Sequence, residues 1–229
     1  MTDRLIVALD FEDAHQATEI VEELGDLANF YKVGPKLFYE TGPSIVRDLT
    51  GLGKKVFLDL KFHDIPATVK GAVRQAAAMG ATFATAHVAD GSAAAAAEEV
   101  ARIGLPVQVL GVTVLTSTSQ HDLTADGYSY PLEDLVLARA RAAIEAGCAG
   151  IVCSANEVAR LRSELGSAPI LVTPGIRRET DAASDQARTS TPRAAIASGA
   201  DYLVVGRPII ESPDPRGATE AILAEITAA

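Results

Sequence analysis

The residues best suited to chemistry are gathered in one stretch, VFLDLKFHDIP (residues 56–66), where Asp59, Lys61 and Asp64 stand among apolar neighbours. Charged side chains are costly in a protein interior unless they are paired or used. In an extended strand, residues two apart share a face, so Asp59 and Lys61 are expected to project together while Leu58 and Leu60 project to the other side. Such a pair is equally a structural ion pair capping a strand or the polar half of a site. What decides between them is whether other polar groups reach the same place.

Several do. Asp10, Lys32, His87, Thr116, Arg177 and Arg207 each lie in or just after a short apolar run. Lys32 needs a partner if it is buried, and Asp59 on a neighbouring strand would supply one. His87 taken alone reads as a hydrogen-bonded structural histidine. In VVGRPI (204–209), Gly206 lets backbone approach a ligand, Arg207 offers a two-pronged donor, and a short helix follows whose first N–H groups are expected to be free. TPGIR (173–177) repeats the arrangement with Gly175 and Arg177. Together these two segments read as a grip for a phosphate group.

The elements that must position these residues recur regularly. Eight β-rich runs, LIVALD (5–10), FYKVG (30–34), VFLDLK (56–61), TFATAHV (82–88), VQVLGVTVL (107–115), GIVCS (150–154), ILVTPG (170–175) and YLVVGR (202–207), alternate with helical stretches. The helical segments, DAHQATEIVEELG (13–25) among them, carry apolar residues every three or four positions and often end in Gly. Alternating strand and helix predicts a parallel sheet. Eight such units in 229 residues predict an α/β fold of the (β/α)8 TIM-barrel type rather than an open sheet. No Gly-rich dinucleotide fingerprint follows the first strand. No linker divides the chain, so residues 1–229 are expected to form a single domain. In a barrel the C-terminal strand ends share one rim, and the phosphate grip would lie after strands seven and eight, where barrels often bind phosphate. Two connections are long and polar, residues 116–130 and 176–191, as lids and binding loops often are.

Composition narrows the partners. A net charge of −10 disfavours nonspecific binding to nucleic acid or an anionic membrane, so an anionic ligand must meet a local cluster of cations. The apolar run before Asp10 is too short for a signal peptide and no window approaches a membrane span, which predicts a cytoplasmic protein. Cys148 and Cys153 lack the further Cys or His pair of a structural zinc site and read as buried thiols.

With these residues in hand, the sequence closely resembles the bacterial-type orotidine 5′-monophosphate (OMP) decarboxylase family over essentially its whole length. The resemblance is carried in order by IVALDF, YKVGPKLFYETGP, FLDLKFHDIPATV, GVTVLTST, VTPGIR, DAASDQAR and DYLVVGRPI. It implies a (β/α)8 barrel, normally a homodimer with sites at the subunit interface, that converts OMP to UMP and CO2 without a metal or organic cofactor. It implies that Lys61 is the catalytic acid, that Asp59 flanks the leaving carboxylate, and that Lys32 completes an alternating Lys–Asp–Lys array. Asp64, with Ile65 and Thr68, would cross to the neighbouring subunit's site. Asp10 and Lys32 would contact the ribose, Thr116 would lie near the base and ribose, and Arg177, Gln186, Gly206 and Arg207 would hold the phosphate. The loop around 176–191 would then be the lid. Ala67 and HVADGS (87–92) depart from the residues commonest at those places. Two alternatives fit parts of the pattern: a metal-dependent lyase of the 3-hexulose-6-phosphate synthase type, which shares D-x-K-x-x-D, and a non-catalytic nucleotide-binding barrel.

Overall fold

The computed structural model describes residues 4–178 and 189–229. Its eight strands are β1 (Leu5–Ala8), β2 (Phe30–Val33), β3 (Lys55–Phe62), β4 (Phe83–His87), β5 (Gln108–Val112), β6 (Gly150–Val152), β7 (Ile170–Thr173) and β8 (Tyr202–Val205). Each pairs in parallel with the next, and β8 returns to β1, closing the barrel expected from the sequence. Except for β3, which runs on to Phe62, the strands end sooner than the apolar runs suggest, and the last residues of those runs lie in the loops at the C-terminal rim. Among the described residues no helix is long and apolar enough to cross a membrane.

Two apolar layers hold the fold. The larger lies between strands and helices, and the smaller fills the barrel with Ile6, Ala8, Phe30, Phe57, Phe83, Leu110, Val172 and Val204. Aromatic rings dominate the inner layer on one side. Phe83 lies 5.1 Å from Phe30 and 5.3 Å from Tyr202, ring centre to ring centre, and Phe57 meets Phe83 edge-on at 6.0 Å. Side chains alternate along a strand, so the inward residue two positions on from each apolar one comes to the rim. Ala8 is thus followed by Asp10, Phe30 by Lys32, Phe57 by Asp59 and Phe83 by Thr85. An apolar floor carries a polar layer.

The third strand breaks its own regularity where it matters. Leu58 pairs with Ala84 and Phe62 with Ala86, so four steps along β3 pass opposite two along β4. The surplus forms a bulge containing Asp59, Leu60 and Lys61, and Lys61 takes φ of 51°, in the left-handed region. For a residue with a Cβ that conformation costs about 1–2 kcal/mol. Asp59 and Lys61 do come together, but through a bulge rather than through the simple alternation the sequence suggests.

The first long connection differs from expectation as well. Residues 116–130 are not wholly irregular, because they contain a helix, Gln120–Ala125, begun by a reciprocal cap in which Ser119 and Asp122 satisfy each other's backbone N–H groups. Of the second connection, expected as a lid, residues 179–188 lie outside the described residues, and its described ends meet as a narrow neck. Arg177 N–H donates to Ser190 O at 3.0 Å and Ser190 N–H donates to Gly175 O at 3.2 Å.

Candidate active site

At the C-terminal rim the polar layer encloses a cavity of about 240 Å³. Asp10, Lys32, Asp59, Lys61, Thr116, Arg177, Gly206 and Arg207, all expected from the sequence, line it. Residues from strands one, two, three, five, seven and eight therefore converge on one volume. Its floor is the inner apolar layer, through Ala8, Val152 and Val204.

Ion pairs of Lys32 and Lys61 stand in the cavity wall. Lys32 Nζ sits 2.7 Å from Asp10 Oδ1, and Lys61 Nζ sits 2.8 Å from Asp59 Oδ2. The partner of Lys32 is thus Asp10, just past the preceding strand, not Asp59 as the sequence suggested. The register explains the change: Lys32 stands opposite Ala8 of β1, and the chain two residues beyond Ala8 carries Asp10 over the rim toward the ammonium. The Lys32 side chain is only 12% exposed, so this contact compensates a charge removed from water. Small residues keep the space open. A Cβ at Gly34 would lie 3.1 Å from Lys32 Nζ, and one at Gly206 would lie 3.6 Å from Asp10 Oδ2.

The second carboxylate is held from two sides. While Oδ2 of Asp59 receives Lys61, its Oδ1 accepts a hydrogen bond from Thr85 Oγ1 at 2.9 Å. Thr85 is buried completely and was not singled out from the sequence, where a threonine in FATAH looks like any strand residue. Its inward position, two residues after Phe83, was the available signal.

The phosphate grip is partly as expected. Arg177 and Arg207 reach the same cavity from the ends of β7 and β8, beside Gly175 and Gly206. The short helix Arg207–Ile210 does not offer a row of free N–H groups, however. Pro208 has none, and Ile209 and Ile210 both donate to Gly206 O, at 2.8 and 3.1 Å. Among the described residues, Arg177 and Arg207 line this end of the cavity together with Gly175 and Gly206. Gln186 lies outside the described residues.

Asp64, Ile65 and Thr68 do not line the cavity. All three are exposed where β3 passes into the helix Pro66–Ala78, and Ile65 is 67% accessible despite its aliphatic side chain. The Asp64 carboxylate accepts the N–H of Ile65 at 2.6 Å, and its backbone is tied to Ser92 by contacts of 3.3 and 3.2 Å.

Beside this corner lies a group that the sequence reading did not assemble. His63 Nε2 meets Asp90 Oδ2 at 2.9 Å, and the His63 ring stacks on His87 at 4.8 Å. Burial holds His87 below the usual histidine range, helped by His63, Lys61 and Arg139 and opposed by Asp59. Cys148 and Cys153 are buried free thiols, as expected, with burial pushing each up to about 12. Among the described residues no three His, Cys, Asp or Glu side chains form a group able to hold a metal ion.

Known proteins share this architecture and sequence. An orotidine 5′-phosphate decarboxylase of Rhodopseudomonas palustris is 51% identical over 227 residues, covering 99% of this chain and 95% of the relative. One from Carboxydothermus hydrogenoformans is 47% identical over 232 residues, covering 99% and 97%. The crystal structure of orotidine 5′-phosphate decarboxylase from Lactobacillus acidophilus superposes with a TM-score of 0.86 at 37% identity, covering 98% of this chain and 99% of that one. The model of the orotidine 5′-phosphate decarboxylase / HUMPS family matches residues 3–222, and the chain belongs to that family.

Proposed function

We propose that this protein is an orotidine 5′-monophosphate decarboxylase, a carboxy-lyase that forms UMP and CO2 in pyrimidine biosynthesis without a metal or organic cofactor. The observation that carries this reading is that the Asp59–Lys61 pair shares one cavity with the Asp10–Lys32 pair and with Arg177 and Arg207. Arginines at one end suit the phosphate, the Asp10–Lys32 pair suits ribose hydroxyls, and Thr116 stands near the remaining space for the base.

Loss of CO2 from C6 of the pyrimidine leaves a carbanion with little delocalisation into the ring. The barrier is therefore high, and fixed charge is the means to lower it. Lys61 stabilises the developing negative charge and then donates its proton to C6, while Asp59 keeps the ammonium charged and aimed. Asp64 of a second subunit joins this array in a homodimer, with Ile65 and Thr68 packing at the same junction. Exposure of all three at one corner of the monomer supports that assignment. Binding of the remote phosphate by Arg177, Gln186, Gly206 and Arg207 closes the 176–191 lid and orders the site.

The 3-hexulose-6-phosphate synthase type of lyase needs a metal, so one assay distinguishes the readings. Purified protein is mixed with orotidine monophosphate and excess EDTA, and loss of the substrate's ultraviolet absorption is followed. Decarboxylation is expected to proceed in the chelator. Absence of turnover, or turnover only after a divalent metal is restored, would sink the proposal.

A further inference from the structure

We propose that Thr85 is a positioning residue for the decarboxylation, tying the backbone of Lys61 to the carboxylate of Asp59; this rests on the reading of Lys61 as proton donor. The bulge in β3 removes Lys61 from the regular ladder with β4, which leaves its backbone N–H in need of an acceptor. Thr85 Oγ1 accepts that N–H at 2.9 Å. A hydroxyl has one proton to give, and with Lys61 N–H entering the oxygen the proton goes to Asp59 Oδ1, also at 2.9 Å. The other oxygen of Asp59 takes Lys61 Nζ at 2.8 Å.

The result is a closed circuit. It runs from the Lys61 amide through the threonine hydroxyl to Asp59 and returns through the ion pair to the Lys61 side chain. It fixes at once the left-handed backbone of Lys61, the orientation of the Asp59 carboxylate and the place where the ammonium waits. Thr85 is wholly buried and does not line the cavity, so it acts through its two neighbours and not on substrate. The γ-methyl group fills space, whereas the hydroxyl makes both connections, so the two contributions are separable by substitution.

Thr85→Val keeps the shape and removes the hydroxyl, and Thr85→Ser keeps the hydroxyl and removes the methyl. Turnover of orotidine monophosphate and the Kd of UMP are measured for both. Loss of a hydrogen bond to a charged group predicts a fall in kcat on the order of 10- to 100-fold for Thr85→Val, with UMP binding within about twofold of wild type. Thr85→Ser is expected to stay within about threefold of wild-type kcat, since its circuit is intact. Wild-type kcat in Thr85→Val, an equal loss in Thr85→Ser, or a parallel loss of UMP binding would each overturn the role. Should Thr85→Val fail to fold, Thr85→Ala read against Thr85→Ser makes the same comparison. Wild-type protein in the same assay separates the two proposals: an inactive wild type overturns the decarboxylase reading itself, whereas an active wild type with a fully active Thr85→Val overturns only the role of Thr85.

Discussion

Lys61 and Arg207 stand in one cavity with opposite assignments, one at the reacting carbon and one at the far end of the substrate. Lys61→Ala should lower kcat by at least about 10⁴-fold, since it removes both the proton donor and the charge facing the carbanion, while circular dichroism stays that of the folded barrel. Substantial residual turnover would remove Lys61 from the donor role. Arg207→Ala should lower kcat/KM for orotidine monophosphate on the order of 100-fold and leave turnover of the unphosphorylated nucleoside unchanged. Equal losses on both substrates would place Arg207 elsewhere than at the phosphate. The types of these residues and their places at strand ends could be read directly from the sequence. The partner of Lys32 could not, because choosing between Asp10 and Asp59 depends on register between strands. The hydroxyl of Thr85 was equally hidden, since a buried threonine becomes notable only once the bulge beside it is seen.

Strands and helices hold these side chains through joints of their own. The helices Pro66–Ala78 and Ser92–Ile103 follow β3 and β4, and Glu99 of the second fastens it to the first through Arg74 at 2.6 Å, while Arg102, one turn on in its own helix, holds the same carboxylate at 2.7 Å. Hydrogen bonds from Arg102 and Arg74 bring the Glu99 carboxyl from its ordinary 4.5 down to about 2. A depressed carboxylate stabilises the fold fully above its unfolded value and loses that contribution as pH falls through the folded one. Wild type should therefore lose stability between pH 4.5 and about 2, and Glu99→Gln should lie below it at neutral pH and converge on it in acid. Melting temperatures across that range test this, and a constant gap between the two proteins would refute it. The eight strands were readable because their apolar runs are separated by helices of clear period, such as Ala14–Leu24. The helix Gln120–Ala125 was not, for six residues give too little period to notice. Its only signal was the Ser119 and Asp122 spacing of a reciprocal cap.

Assembly offers a stricter test of the proposed shared site. If Asp64 serves the neighbouring subunit, Lys61→Ala and Asp64→Ala dimers are each inactive, but mixing them yields dimers with one intact site. After random subunit exchange, activity should recover to about a quarter of wild type. No recovery despite demonstrated exchange would return Asp64 to its own subunit. The (β/α)8 plan follows from sequence period alone, whereas the proposed subunit contact rests on exposed residues such as Ile65, which a list of residue types does not distinguish from core. The barrel itself sets one further condition. Its lower end is stoppered by the rings of Phe30, Phe57, Phe83 and Tyr202, so the cavity is a blind well with its mouth at the rim. For the proposed reaction this makes traffic one-way in space: substrate enters, and both products leave, through a single doorway. CO2, small and uncharged, would have to pass the bound nucleotide at that doorway. UMP then serves as the cork of its own vessel, and the next cycle waits on its release.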